Sequence, residues 1–547
     1  MTTGRRRLLG LAAAGLTHAL TSGLQTQSHA AARQKQVTPI PLTVETHRGK
    51  VRGAIDDGIR SFKGIPYGAP TDGLARFREP AAPKPWPGVR DALGYGPMCP
   101  QLPPDRPSLN ASWTLDKTAS EDCLLLNVWT PGLHDQRKRP VMVWLHGGGF
   151  ANLSGSSNIF DGTRLCQRGD VVVVTVNHRL NVFGFLYLGH LAGSDYATSG
   201  NVGMLDLIAA LKWVHDNIAA FGGDPGNVTL FGQGGGGAKV STLMAMPMTR
   251  GLFHKAIVQS GSLLDALNPD EATRNAVAYL AALDMKPADI PRLSKLSTER
   301  LVAGLGKVMA TPGTKPLYAP VVDGVPLTSS PWQPDAPAVS AAVPMIIGSN
   351  RTETTALLGA RDPKLFNQDD AALHRNLAQF VPEKELPRVL AGYRRLMPKA
   401  SAADLFFAIT TTRLVRQPAW TQAELKAAQG RAPVFLYELD WGTPVDEGKW
   451  GAPAGLDLPF VFDNVAVSGS MVGTGPALQQ MADMISSTWL AFARSGKPAA
   501  EGLPDWAPFT LPARATMIFA STPKLVNDAR GDERTLLSAL PSLRTPA

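Results

Sequence analysis

Val228-Thr229-Leu230-Phe231-Gly232-Gln233-Gly234-Gly235-Gly236 is the stretch on which the reading of this chain turns. Val228 to Phe231 is a short apolar run of the kind that forms a buried strand, and Ala238 to Met246 predicts a helix that ends before Pro247. A strand, a tight glycine turn and a helix in that order are the setting of a G-x-S-x-G nucleophile elbow. There, small flanking residues let the backbone take a strained turn that lifts one hydroxyl above the sheet edge. The serine position of that pattern is Gly234, which has no hydroxyl.

Outward from the elbow, further apolar runs read as buried parallel strands: Pro140 to Leu145, Val171 to Val176, Lys255 to Gln259, Val343 to Ile347 and Val434 to Leu439. Leu205, Ile208, Leu211 and Ile218 fall near helical spacing in Asn201 to Phe221, and Gly222-Gly223-Asp224-Pro225 closes that helix just before the elbow strand. Alternating strands and helices predict a mostly parallel α/β sheet with helices on both faces. The stretches Asp265 to Pro334 and Asp362 to Gln429, rich in helix formers, predict a helical rim around the site.

His146-Gly147-Gly148-Gly149-Phe150 follows the strand ending at Leu145. Consecutive glycines there let backbone N–H groups turn toward a substrate oxygen unobstructed by a Cβ, which is the oxyanion-loop arrangement; Gly148, Gly149 and the Gly235 amide are the candidate donors. Gly232 to Gly237 also matches G-x-G-x-x-G formally, but the next strand runs into Ser260-Gly261 where a dinucleotide site needs an acid, so no cofactor is expected. Neither H-E-x-x-H nor a P-loop occurs, and no metal site is expected.

With these motifs stand Phe62-Lys63-Gly64-Ile65-Pro66-Tyr67, Ser120-Glu121-Asp122-Cys123-Leu124, Phe221-Gly222-Gly223-Asp224-Pro225, Gln259-Ser260-Gly261 and Trp489-Leu490-Ala491-Phe492-Ala493. Together they make the chain resemble the type-B carboxylesterase and cholinesterase family of α/β-hydrolases across nearly its whole length. The resemblance implies an α/β-hydrolase fold, a small-molecule carboxylic ester as partner, and a triad in the order Ser, acid, His. The serine carries over to Gly234. The acid carries over to Glu353, in Gly348-Ser349-Asn350-Arg351-Thr352-Glu353. The histidine should precede a Gly-x-Asp/Glu segment leading into Pro-Phe-Val-Phe; here that stretch is Ala454-Gly455-Leu456-Asp457-Leu458-Pro459-Phe460-Val461-Phe462, and the position is Ala454. No histidine follows His374, so a shift of alignment does not recover one. A hydrolase scaffold without nucleophile and base is expected to be severely disabled. The rival expectation is a non-catalytic binding protein on the same fold, like the neuroligin-type adhesion relatives that also lack the serine. His146 and Ser260, the other polar residues near these motifs, have no evident partner in the sequence and are expected to be structural.

The chain opens with Arg5-Arg6-Arg7-Leu8-Leu9-Gly10, an apolar stretch to about Leu24 and Ser28-His29-Ala30. That is the form of a bacterial export signal, with paired arginines suiting a twin-arginine route and cleavage near Ala30. Thr17, His18 and Thr21 break the apolar part too often for a stable membrane anchor. Residues 1–30 are therefore read as a leader and 31–547 as one domain, exported to the periplasm or secreted. Removal of the leader takes three arginines and no acids, lowering the net charge from +9 to +6 over a chain without a basic stripe; nucleic-acid binding is not expected. In an exported protein two of the three cysteines can pair, and a Cys99–Cys123 bridge would close a loop worth about 3 kcal/mol. The family resemblance implies that same disulfide. Cys166 reads as a buried free thiol.

Overall fold

The computed structural model describes residues 42–103, 108–113, 118–312, 316–541 and 543. The expected leader lies outside them. Thirteen strands make one sheet: β1 (Leu42–Thr46), β2 (Gly49–Asp56), β3 (Ile59–Pro66), β4 (Val89–Asp91), β5 (Leu125–Thr130), β6 (Arg139–Leu145), β7 (Val172–Val176), β8 (Gly223–Gln233), β9 (Lys255–Gln259), β10 (Met345–Asn350), β11 (Val434–Leu439), β12 (Ala515–Phe519) and β13 (Lys524–Asn527). Their order is β1-β2-β3-β5-β7-β6-β8-β9-β10-β11-β12-β13, with β4 beside β2. From β7 to β12 every neighbouring pair is parallel; the outer strands at both ends pair antiparallel, apart from β4, which runs parallel to β2. This is the mostly parallel sheet that the apolar runs predict.

The central strands are buried on both faces, which is why they read as continuous apolar runs rather than as alternating ones. Alternation reappears in what each side chain packs against. Val141, Val143 and Leu145 of β6 join one core with Ala256 and Val258 of β9, while Met142 and Trp144 join the opposite core with Phe231, Ile257 and Ile346. Helices cover both faces, among them α1 (Val202–Asn217), α2 (Gly235–Leu243) and α3 (Ala477–Ser495). A third apolar cluster, including Leu377, Val389, Tyr393 and Phe406, holds together the helices Asp370–Leu377, Leu386–Leu396 and Ala402–Thr411, part of the helical rim expected from the sequence.

Several boundaries differ from expectation, β8 for one starting at Gly223 rather than Val228, and two of the differences have local reasons. The helix after the elbow begins at Gly235 rather than Ala238, because its first glycines lie where backbone crowds in: a Cβ on Gly236 would run into the Leu145 carbonyl. The strand expected from Val343 begins at Met345 and runs on to Asn350; Pro344 just before it has no N–H to give to a ladder, though its carbonyl accepts from Ala256. The expected Cys99–Cys123 disulfide is not present. Both are free, buried thiols. The Cys123 thiol is pushed well up by its hydrogen bond with Cys99 and by burial, and the Leu180 N–H donates to the Cys99 sulfur at 3.2 Å. Cys166 is also a free thiol, raised by burial, as expected.

Candidate active site

The register of the parallel strands brings the predicted site residues to one sheet edge. Leu145 of β6 pairs with Gly232 of β8, and Gln233 pairs with Gln259 of β9, so His146, Gly234 and Ser260 each follow the carboxyl end of adjacent parallel strands. Glu353 lies three residues beyond Asn350, the end of β10, itself next to β9. Ligands of open α/β sheets bind outside the carboxyl ends of their strands, where these residues stand.

Gly234 has φ +56° and ψ −123°, a conformation that L side chains rarely adopt, and the elbow keeps it in the absence of the serine. The turn is held by the Gly234 N–H donating to the Gln259 carbonyl at 2.8 Å and by the Ala238 N–H donating to the Gly234 carbonyl at 3.1 Å. A Cβ built on Gly234 meets nothing within 4 Å, so the position faces open space. Gly235 is different: a Cβ there would run into the backbone of Gly149. The glycine at 235 is what lets the elbow and the loop Gly147–Gly149 touch backbone to backbone. Gly148 and Gly149 have φ of +80° and +63°, which their lack of a Cβ permits. Among the described residues the amides of Gly148, Gly149 and Gly235 have no hydrogen-bond acceptor, the last being one of the orphan donors of a helix N-terminus. An anion or a developing oxyanion placed over this junction would meet free N–H groups.

Glu353 is fully buried. Its Oε1 accepts from the Ser260 hydroxyl at 2.5 Å and from the Asn350 N–H at 2.6 Å. Its Oε2 has no partner among the described residues. Burial, with the negative charge of Asp457 adding to it, pushes the carboxyl up to about 8 against the opposing donors and Arg416. The loop carrying Ala454 is stitched to this turn. The Thr352 N–H donates to the Ala452 carbonyl at 3.0 Å, the Asn350 side-chain amide to the Pro453 carbonyl at 2.7 Å, and the Ala454 N–H to the Glu353 carbonyl at 3.4 Å. Gly234, Ser260, Glu353 and Ala454 thus form one continuous cluster: the elbow is tied to Gln259, the neighbouring Ser260 holds the carboxylate, and the carboxylate's own backbone holds Ala454.

Ser260, for which the sequence offers no partner, has Glu353. Its hydroxyl donates to the Glu353 carboxyl, and its burial leaves it a support rather than an exposed nucleophile. His146 is buried and stacked on His178, with ring centroids 5.0 Å apart, and burial holds both well below the usual histidine range. Its Nδ1 lies 2.9 Å from the Gly147 carbonyl oxygen, which can only accept, so the proton sits on Nδ1. A second support network is built by Gln259, whose side-chain amide donates to Asp457 at 2.6 Å, while the indole of Trp489 donates to Gln259 at 3.2 Å. Asp457 and Trp489 both stand in the motifs quoted above, but nothing in their spacing reveals that Gln259 joins them. Among the described residues, no group of three histidines, cysteines or acids is arranged to hold a metal ion.

The sequence model described as the carboxylesterase family matches residues 41–535. The chain is 36% identical over 504 residues to the para-nitrobenzyl esterase of Bacillus subtilis (strain 168), covering 90% of this chain and 98% of that one. It is 34% identical to the cocaine esterase of Homo sapiens, covering 87% of each. The crystal structure of the Geobacillus stearothermophilus carboxylesterase EST55 at pH 6.2 superposes with a TM-score of 0.79 at 37% identity, covering 90% of this chain and 99% of that one. A sheet edge that gathers an elbow, a glycine loop and a buried glutamate, on a chain that matches the carboxylesterase family model over residues 41–535, places this protein in the carboxylesterase family of α/β-hydrolases.

Proposed function

We propose that this chain is an exported carboxylic-ester hydrolase scaffold that binds a small-molecule ester but turns it over at a severely reduced rate, because Gly234 stands at the nucleophile position and Ala454 at the base position. The observation that carries this reading is Glu353, a buried carboxyl group fixed by two donors, with its second oxygen unpartnered and the Ala454 loop bound to its own backbone. An acid so held is suited to orient an imidazole and to stabilise it when it takes a proton. An alanine has no imidazole to orient. In serine-type acyl transfer the hydroxyl attacks the ester carbonyl, the imidazole takes and returns the proton, and backbone amides hold the oxyanion. Without hydroxyl and imidazole no acyl-enzyme forms, and loss of such a unit elsewhere costs on the order of a millionfold in rate. The remaining parts, the amides of Gly148, Gly149 and Gly235, polarise and bind.

Calorimetry against a panel of short acyl esters, with product assayed in parallel, tests the reading. The expected result is heat of binding with the ester recovered intact. Turnover at about 1 to 1,000 per second, the ordinary range for an enzyme, overturns it. The same fold used only for binding a macromolecule is the rival; it expects no ester to bind. Residues 1–30 are assigned as the leader, with no stable membrane anchor after cleavage. Amino-terminal sequencing of the exported protein is expected to begin near Ala31, and an intact Met1 in the exported fraction contradicts the assignment.

A further inference from the structure

Lys239 lies on the elbow helix α2, three residues beyond Gly236 and so on the same helix face, the one pressed against the backbone of Leu145 and His146. Its side chain is fully buried. The amine donates to the His146 carbonyl at 2.9 Å and lies 5.6 Å above the ring of Phe150. These are the residues immediately before and after Gly147–Gly149, so one side chain bridges both ends of the glycine loop. Burial alone pushes the amine down, to about 7, and no carboxylate offsets it. A buried amine with one carbonyl acceptor and one ring is a costly way to fill space that an apolar side chain would fill without penalty. Whether charged or neutral, it retains an N–H to donate, so the contact survives titration.

The peptide group is planar and trans, so anchoring a carbonyl fixes the opposite direction of the following N–H. Lys239 anchors the His146 carbonyl, and the His146 imidazole anchors the Gly147 carbonyl. Two successive peptide planes are thereby set at the base of a loop whose glycines have no side chains to hold them, and the second plane carries the Gly148 N–H. His146 is braced in turn by its stacking on His178, whose Nδ1 lies 2.7 Å from the Arg179 carbonyl. We propose that Lys239 is a positioning residue that fixes the oxyanion loop, tying the direction of the loop amides to the helix that carries the elbow. The assignment of that loop rests on the hydrolase reading above.

Amide hydrogen exchange on the unmodified chain and on Lys239→Met tests this without any need for activity. Exchange at Ala151 and Asn152, whose N–H groups donate to the Gly148 carbonyl and so report the order of the loop, is expected to quicken at least tenfold in the variant, while β6, β8 and the rest of α2 keep their rates. Unchanged loop rates overturn the proposal, as does an acceleration spread across α2 and β6, which is the mark of a merely structural lysine. Lys239→Gln, which keeps an N–H donor on a shorter stem, is expected to fall between the two; if neither variant folds, the lysine serves the fold and the proposal fails. In the Gly234→Ser/Ala454→His background, Lys239→Met is expected to lower kcat by about 10- to 100-fold with KM within about twofold, since oxyanion stabilisation acts in the transition state. An equal change in KM contradicts it. Should that background itself be inactive, the hydrolase reading fails, while the exchange result still decides the role of Lys239.

Discussion

Glu353 is the residue at which site and stability meet. Its carboxyl is raised from an ordinary 4.5 to about 8, chiefly by burial, so between those values the folded chain binds more protons than the unfolded one. Stability from this group is therefore full at low pH and is lost as pH rises through that window, with an upper bound of about 5 kcal/mol from about 1.4 per unit. Glu353→Gln keeps an acceptor for Ser260 and Asn350 and removes the titration. Thermal melts from pH 5 to pH 9 are expected to show the glutamine variant gaining on the parent as pH rises; a difference that stays flat with pH contradicts the burial account. Gly234 is constrained in another way. Its φ and ψ suit glycine, and its Cβ direction is empty, so Gly234→Ser is expected to cost about 1–3 kcal/mol of backbone strain without any clash. Urea unfolding measures this cost, and a serine variant as stable as the parent would show that the turn relaxes.

The elbow and the glycine loop behave as a single element because each supplies the other's contacts. Where Gly234 faces open space, Gly236 faces the Leu145 carbonyl, with the His146 carbonyl just beyond. Two alanine substitutions two residues apart should therefore differ in kind. Gly234→Ala carries only strain, whereas Gly236→Ala pushes a methyl group into main chain that belongs to β6 and cannot rotate away, with an expected loss of more than about 3 kcal/mol. Denaturant midpoints of the two variants check the order, and equal midpoints contradict the packing described. Gly235→Ala meets the Gly149 backbone instead. It is expected to displace the loop and weaken ester binding, measured calorimetrically, more than it lowers stability.

For the whole molecule, the parallel sheet was legible because strands buried on both faces are unbroken apolar runs; the runs read from Pro140, Val171, Val228, Lys255, Val343 and Val434 each coincide with a strand to within a few residues. The outer strands β1 to β4 were not, since Leu42–Thr46 and Gly49–Asp56 are half-exposed and mixed in composition, and their pairing is set by long-range register. The gathering of Gly234, Glu353 and Ala454 was legible from ordered motifs. The supports were not: Ser260 meets Glu353 across 93 residues and Lys239 meets His146 across 93, and a sequence shows neither separation closing. The thiols of Cys99 and Cys123 are neighbours, as their predicted pairing requires, yet they are not joined. The central claim concerns the two small residues at the sheet edge, and steady-state hydrolysis of a short activated ester by Gly234→Ser, Ala454→His and the double variant tests it most directly. A hydroxyl with nothing to deprotonate it, or a base with nothing to activate, leaves each single variant near the background of the unmodified chain, while the double variant gains several orders of magnitude in kcat/KM. A double variant that folds, binds the ester and stays at background would contradict the account.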